Sequence, residues 1–187
     1  MEAQALARAP RELPEETSRH VVLTHYDAVT AALINKLTHY HYSYVLLVPD
    51  SAEAGRLQDR GLNVLVGDLD NPDTYRRARV DRADLVATTV NDVVNTTVAF
   101  TVRELSKDVP VIATANDVAS VDILELAGAS HVLQLGDMLG KSLARRIIAG
   151  DAMSHVIGQF DQLLIAEATP AGTPLLGKTC TGRAPTS

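Results

Sequence analysis

Short apolar runs alternate with segments of helical periodicity along most of this chain. The runs are rich in Val, Leu and Ile, which is typical of buried strands. They predict six strands, over residues 20–24, 44–48, 63–66, 85–88, 111–114 and 130–133. Apolar residues spaced for one face of a helix predict helices over residues 27–38, 52–60, 91–105, 119–127 and 136–149, with a short helix near Pro72.

This alternation predicts an α/β fold. Strands as apolar as these must be covered on both faces, which favours a Rossmann-like, doubly wound, six-stranded parallel sheet with helices on each side. Right-handed crossovers leave few topologies, and the expected strand order is 3-2-1-4-5-6. We expect residues 19–150 to form this domain.

The two ends of the chain do not follow the repeat. Residues 1–18 are rich in Ala, Pro and Glu and are interpreted as a linker or frayed lead-in. The remaining residues, 151–187, are too few for a second core and are interpreted as the truncated start of another domain. Within that region the sequence predicts a hinge-like connection, a strand, a turn and a disordered end, over residues 150–158, 162–168, 170–174 and 181–187.

Composition and charge narrow the classes of function. The 187 residues carry a net charge of −6, whereas a nucleic-acid binder is expected to present a basic field. No apolar run approaches the roughly 18 residues that span a bilayer, so no membrane insertion is expected. The single Cys180 excludes a disulfide framework and fits a reducing, cytoplasmic location. The one basic cluster is interpreted as a solvated face and comprises Arg76, Arg77, Arg79 and Arg82.

Several short motifs, in this order and spacing, resemble the N-terminal domain of the RCK family (TrkA-N type), the regulators of potassium conductance in channels and in Trk and Kef transport systems. They are His20-Val21-Val22-Leu23, Asp50, Val66-Gly67-Asp68, Arg82-Ala83-Asp84-Leu85-Val86, Asn91-Asp92 with Asn95, Ala115-Asn116-Asp117 and Gly128-Ala129-Ser130-His131-Val132-Leu133. Residues 173–179 resemble the start of the companion C-terminal RCK subdomain. The resemblance implies a cytoplasmic domain that binds a small ligand and regulates a potassium channel or transporter.

On the RCK pattern, the three glycines of the phosphate-binding turn fall on His25, Asp27 and Thr30, with Tyr26 between the first two. Side chains there fill the space of a pyrophosphate, and the Asp27 carboxylate would repel it. Tight NAD binding in the usual pose is therefore disfavoured. Asp27 is alternatively a helix N-cap. An adenine nucleotide (AMP, ADP or ATP) held at its adenosine end fits better.

The remaining candidate ligand contacts follow other strands. Asp50, with Ser51, is placed for ribose hydroxyls or as a helix cap, and Asp68 for the adenine side or as a turn residue. Thr88, Thr89 and Asn95 lie beside the expected topological switch point. Few carboxylates stand where calcium-gated RCK members place theirs, so we expect no calcium there and no other metal site.

Two further expectations concern partners and chemistry. The half-apolar fifth helix predicts a homodimer through helices four and five, in a larger ring if the family pattern holds, although the same residues fit an ordinary core. No nucleophile–base pair is evident, which favours a non-catalytic domain. The alternatives are a structural RCK unit with a vestigial site and a fragment of an NAD(P)-dependent oxidoreductase.

Overall fold

The computed structural model describes residues 9–149, 155–160 and 163–167, with the backbone alone for residues 148–149 and the last two ranges. The chain divides into two compact units, Met1–Met138 and Leu139–Ser187. Among the described residues, none of the helices has both the length and the apolar character needed to cross a bilayer.

The first unit contains a six-stranded, all-parallel sheet in the order β3-β2-β1-β4-β5-β6, which confirms the predicted fold. Its strands are β1 (His20–Leu23), β2 (Ser43–Val48), β3 (Val64–Val66), β4 (Leu85–Thr88), β5 (Val111–Ala115) and β6 (His131–Gln134). The helices are α1 (Ala28–His39), α2 (Ser51–Asp59), α3 (Pro72–Arg77), α4 (Asp92–Leu105), α5 (Ala119–Leu126) and α6 (Leu135–Ala149), and a single 3-10 turn covers Val80–Arg82.

Both faces of the sheet are buried from β1 to β5, as these apolar strands require, whereas the edge strand β6 is exposed or half-buried. Successive side chains of a strand point to opposite faces, so Val21 and Leu23 join one core cluster while Val22 joins the other. Leu57 of α2 packs in the first cluster, and Val98 of α4 packs in the second. The core is aliphatic apart from a few rings such as the fully buried Tyr75.

Helices α1 to α4 all begin with a capping side chain. Oδ1 of Asp27, Asp50, Asn71 and Asn91 accepts a hydrogen bond from a first-turn amide at 2.7, 2.6, 2.9 and 2.9 Å respectively. Such caps satisfy amides that have no partner inside the helix. Because each helix follows a strand of a parallel sheet, the four polar side chains lie along the carboxyl edge of the sheet.

The described part of the lead-in, residues 9–18, packs within the first unit. The Pro10 carbonyl accepts from the amide of Val66, which covers part of the open edge of β3. The arginines predicted as a solvated face hold this segment: Arg77 donates to the Arg11 carbonyl at 3.0 Å, and Arg82 to the Glu15 carbonyl at 2.7 Å. Arg79 pairs with Glu12 at 3.1 Å. The solvated-face interpretation was wrong for Arg79, whose side chain is 24% exposed, and it missed the surface contacts of Arg77 and Arg82, because charge runs in sequence do not reveal partners so far along the chain.

In the second unit, β7 (His155–Phe160) and β8 (Leu163–Glu167) form an antiparallel pair. The strand predicted over residues 162–168 is confirmed. Residues 155–158, predicted as a connection, instead belong to β7, whose register shifts between Val156 and Gly158. Glycine reads as a loop signal in sequence but also marks bulges inside strands. The predicted turn at 170–174, the disordered end at 181–187 and the motif at 173–179 lie outside the described residues.

Candidate functional site

The turn after β1 begins the candidate site, at the place where a Rossmann-like fold binds phosphate. Asp27 has an extended backbone and caps α1 by accepting from the Thr30 amide at 2.7 Å. The carboxylate thus accepts a hydrogen bond from an amide that could otherwise donate to a phosphate. His25 is exposed, while Tyr26 and Asp27 are half-buried, so three side chains stand where a glycine turn would be bare.

Asp27 is held in its charged form. Partial burial alone would raise the pKa of this carboxyl, but hydrogen bonds outweigh that effect. The donors are the Thr30 amide and the hydroxyls of Thr89 and Thr30, and the charge of nearby His25 acts in the same direction. The pKa of Asp27 therefore lies below its usual 3.8, and a negative charge persists at the start of α1 at neutral pH.

Paired threonines link the end of β1 and the first turn of α1 to the end of β4, at the two strands that flank the switch point. The Thr30 and Thr89 hydroxyl oxygens lie 3.1 Å apart, and Thr24 donates to Thr88 at 2.8 Å in the buried layer. A dinucleotide must cross between these strands to reach the second half of such a sheet. The hydrogen-bonded threonines stand between β1 and β4, where a dinucleotide would cross. The half of the sheet edge beside β2 and β3 is therefore the open part of the site.

Thr88 and Asn95, predicted as ligand contacts, form a buried internal network. Asn95 Oδ1 accepts from the Thr88 hydroxyl at 2.6 Å and from the Val90 amide at 3.0 Å. Its Nδ2 donates to the carbonyl and hydroxyl oxygens of Thr114, at 2.8 and 3.3 Å. Both residues are fully buried. The network joins the ends of β4 and β5 to α4, which is a structural role.

Asp50 and its neighbour lie at the end of β2. Asp50 Oδ1 accepts from the Glu53 amide at 2.6 Å, so the capping interpretation holds for that oxygen. Within the described residues Oδ2 has no partner, and the side chain is exposed. Ser51, the first residue of α2, is also exposed. Asp50 can therefore cap the helix and still accept a ribose hydroxyl through Oδ2.

A cation lies over the side chain of Tyr26. The guanidinium carbon of Arg60 is 5.2 Å from the centre of the Tyr26 ring, and Arg60 Nη2 donates to the Tyr26 hydroxyl at 3.1 Å. Cation–π contact and hydrogen bond together fix the tyrosine beside the turn. The sequence did not indicate this pair, because the two residues are separated by all of α1, β2 and α2.

A cavity of about 380 Å³ opens at the carboxyl edge beside β2 and β3. It is lined by Pro49, Asp68, Leu69, Asp70, Val94 and Thr97. Its volume is within the range of small-molecule sites, and its lining combines apolar groups with a few carboxylates. Of the predicted site residues, only Asp68 lines it. The other lining residues Leu69, Val94 and Thr97 were not among the residues that the sequence singled out.

Gly67 places Asp68 at this cavity. A Cβ at residue 67 would come within 2.5 Å of Thr74 Cγ2 and 2.6 Å of its Oγ1, because the turn after β3 runs directly against α3. Only glycine permits that approach without displacing the fully buried Thr74. The Val66-Gly67-Asp68 motif thus has a steric reason.

A larger cavity, of about 430 Å³, lies between the lead-in and the first residues of β2 and β3. Its lining includes Pro10, Leu13, Leu62 and Asn63, and no carboxylate is among the lining residues. Ligands of open α/β sheets bind at the carboxyl ends of the strands, and this cavity is at the other edge. The smaller cavity is therefore the better candidate.

The loop after β5 is closed by a carboxylate. Asp92 accepts from the amides of Asn116 and Asp117, at 2.8 and 3.0 Å, and from Asn116 Nδ2 at 3.1 Å. Slight burial alone would raise its pKa, but hydrogen bonds from Ser120 and from these groups hold it below the usual value. Among the described residues, no three His, Cys, Asp or Glu side chains are grouped as a metal site.

A family model places the chain among known proteins. The model for the TrkA-N domain matches residues 21–135, more than half of the sequence. The chain belongs to the TrkA-N family. This TrkA-N domain has no significant match among curated proteins.

Solved structures of the GsuK channel are similar to this TrkA-N domain. The GsuK structure bound to ADP is 28% identical with a TM-score of 0.72, and covers 84% of this chain and 42% of its own. The GsuK structure bound to NAD is 27% identical with a TM-score of 0.71; the match covers 83% of this chain and 27% of the GsuK chain. The GsuK RCK domain is 29% identical with a TM-score of 0.68; the match covers 91% of this chain and 38% of the GsuK RCK chain. The chain thus spans less than half the length of these relatives.

Proposed function

We propose that this TrkA-N domain is a non-catalytic regulatory domain that binds an adenine-containing ligand on the cytoplasmic side of a membrane and controls a potassium channel or transporter. The observation that carries the proposal is the cavity at the carboxyl ends of β2 and β3, in a fold whose relatives include channel structures bound to ADP and NAD. The partner is a membrane transport subunit, in the same polypeptide or in another.

The ligand is held at its adenosine end. Leu69 and Val94 offer apolar contacts for a purine ring, and the exposed Asp68 carboxylate can accept from its exocyclic amine. Asp50 Oδ2 is available for ribose hydroxyls. The threonine pairs across the switch point oppose a dinucleotide in its usual pose, so AMP, ADP or ATP fits better than NAD.

The helix that lines the cavity also carries an exposed apolar face. On α4, Val94 and Thr97 line the cavity, while Val93 and Phe100 are 77% and 58% exposed. Ile123 and Leu126 of α5 are 54% and 89% exposed, whereas Leu124 of the same helix is buried. Large apolar side chains exposed together indicate a protein interface. They support a homodimer through α4 and α5.

This arrangement couples ligand to assembly through one helix. A ligand that binds one arrangement of the paired domains better than another shifts the population toward it. Because Val94 and Thr97, which line the cavity, adjoin the exposed Val93 and Phe100 on one face of α4, ligand and second copy meet the same part of this helix. Its position can therefore differ between arrangements. The linked transport protein would then respond to the ligand.

A thermal-shift titration tests the proposal. Adenosine, AMP, ADP, ATP and NAD are added to the purified chain, with guanosine and GMP as controls, and the dimer is followed by sedimentation. Saturable stabilisation by an adenine compound but not by its guanine counterpart supports the sensor. If all of the compounds leave the midpoint unchanged while the dimer persists, the domain is a structural assembly unit instead.

A further inference from the structure

The charge at the β1–α1 turn defines the ligand more narrowly. In a Rossmann-like site, an acidic residue after β2 binds the ribose and the 5′ group is directed to the start of α1. That position is normally cationic in character, because helix amides and the helix dipole converge there. In this chain Asp27 accepts the Thr30 amide at 2.7 Å and brings a full negative charge to the same place.

Three of the donors that a phosphate would use at this turn are already engaged. The Thr30 amide and the Thr30 and Thr89 hydroxyls all bond to Asp27. The nearby Asp50 is also a carboxylate. The basic side chains close to the turn are His25, next to Tyr26 in the chain, and Arg60, whose guanidinium lies against Tyr26. A phosphate would therefore meet repulsion with few free donors.

Resting on the proposed adenosine site, we infer that the preferred ligand is an adenosine whose 5′ substituent is uncharged or cationic, with Asp27 as the residue that selects against phosphate. A hydroxyl or amine at the 5′ position can donate to the carboxylate, whereas a phosphate cannot. A cationic substituent gains attraction where a phosphate is repelled. The ligand class is then a nucleoside rather than a nucleotide.

Calorimetry with matched probes tests this inference. Adenosine, 5′-amino-5′-deoxyadenosine and AMP are titrated into the unmodified chain and into Asp27→Asn. Asparagine caps a helix as well as aspartate does, so the variant removes the charge and keeps the cap. Asp108→Asn is the control, because it removes one exposed carboxylate from the α4–β5 connection at the other edge of the sheet.

In the unmodified chain, the 5′-amine and adenosine bind more tightly than AMP by about 10- to 100-fold, as expected for one repulsive contact of this kind. Asp27→Asn reduces that ratio at least tenfold, roughly 1.4 kcal/mol, and weakens the 5′-amine. Asp108→Asn leaves the ratio unchanged.

Two outcomes overturn the inference in different ways. If AMP binds as tightly as adenosine in the unmodified chain, or if Asp27→Asn leaves the ratio unchanged, the selectivity is wrong while the adenosine site stands. If none of the three probes binds, the proposed adenosine site fails and the inference fails with it.

Discussion

Replacing Asn95 by alanine should strongly destabilise the domain. The side chain makes four hydrogen bonds in the core, to Thr88, Val90 and Thr114. Alanine leaves the Val90 amide without its acceptor and the carbonyl and hydroxyl oxygens of Thr114 without the Nδ2 donor, and it opens a small cavity. Each buried polar group left unpaired costs about 1–3 kcal/mol, so the expected loss is about 3–5 kcal/mol. That is a large part of the roughly 5–15 kcal/mol that stabilises a domain.

Urea denaturation followed by circular dichroism measures this loss. The matched control is Asn116→Ala, because Asn116 is exposed and donates a single side-chain bond to Asp92 at 3.1 Å. The control should lose less than about 1 kcal/mol. If Asn95→Ala costs no more than the control, the network is not structural, and Asn95 becomes available again as a ligand contact.

Three further predictions address packing, assembly and charge. Gly67→Ala should destabilise the domain by about 1–3 kcal/mol, because the added Cβ overpacks against Thr74. Gly55→Ala is the control and should be neutral or stabilising, because nothing lies within 4 Å of the added Cβ. Equal effects of the two substitutions in thermal melts would contradict the steric argument. Leu126→Glu should dissociate the dimer in sedimentation experiments while Val29→Glu, on α1, should not. The pKa of Asp27 is lowered in the folded chain, so its charge stabilises the fold above pH 3.8. That contribution disappears as the pH falls through the lowered pKa of the folded state. The difference in free energy of unfolding between Asp27→Asn and the unmodified chain should therefore vanish in acid.

The fold followed from patterns that act locally. Apolar strands of three to six residues and the spacing of the helices gave the order of elements, and right-handed crossovers then gave the order of the strands. The capping role of Asp27 was also visible, because a short acidic side chain stood just before a helical segment.

The candidate site was harder to predict because its parts come from distant segments. Sequence placed Asp68 at the end of β3, but the cavity there also needs Val94 and Thr97 of α4. Asn95 stood at the right edge of the sheet, yet which way its side chain points depends on its helical phase against β4 and β5. The partners of Arg77 and Arg82 are backbone carbonyls of the lead-in, about which charge patterns say nothing.

The central claim is that carboxylate and threonine side chains close the dinucleotide path at the start of α1 and leave an adenosine site open. Calorimetric titration of the unmodified chain with NAD, beside adenosine under the same conditions, tests it most directly. The account predicts saturable binding of adenosine and none of NAD at concentrations that saturate adenosine. Binding of NAD more tightly than adenosine would contradict it.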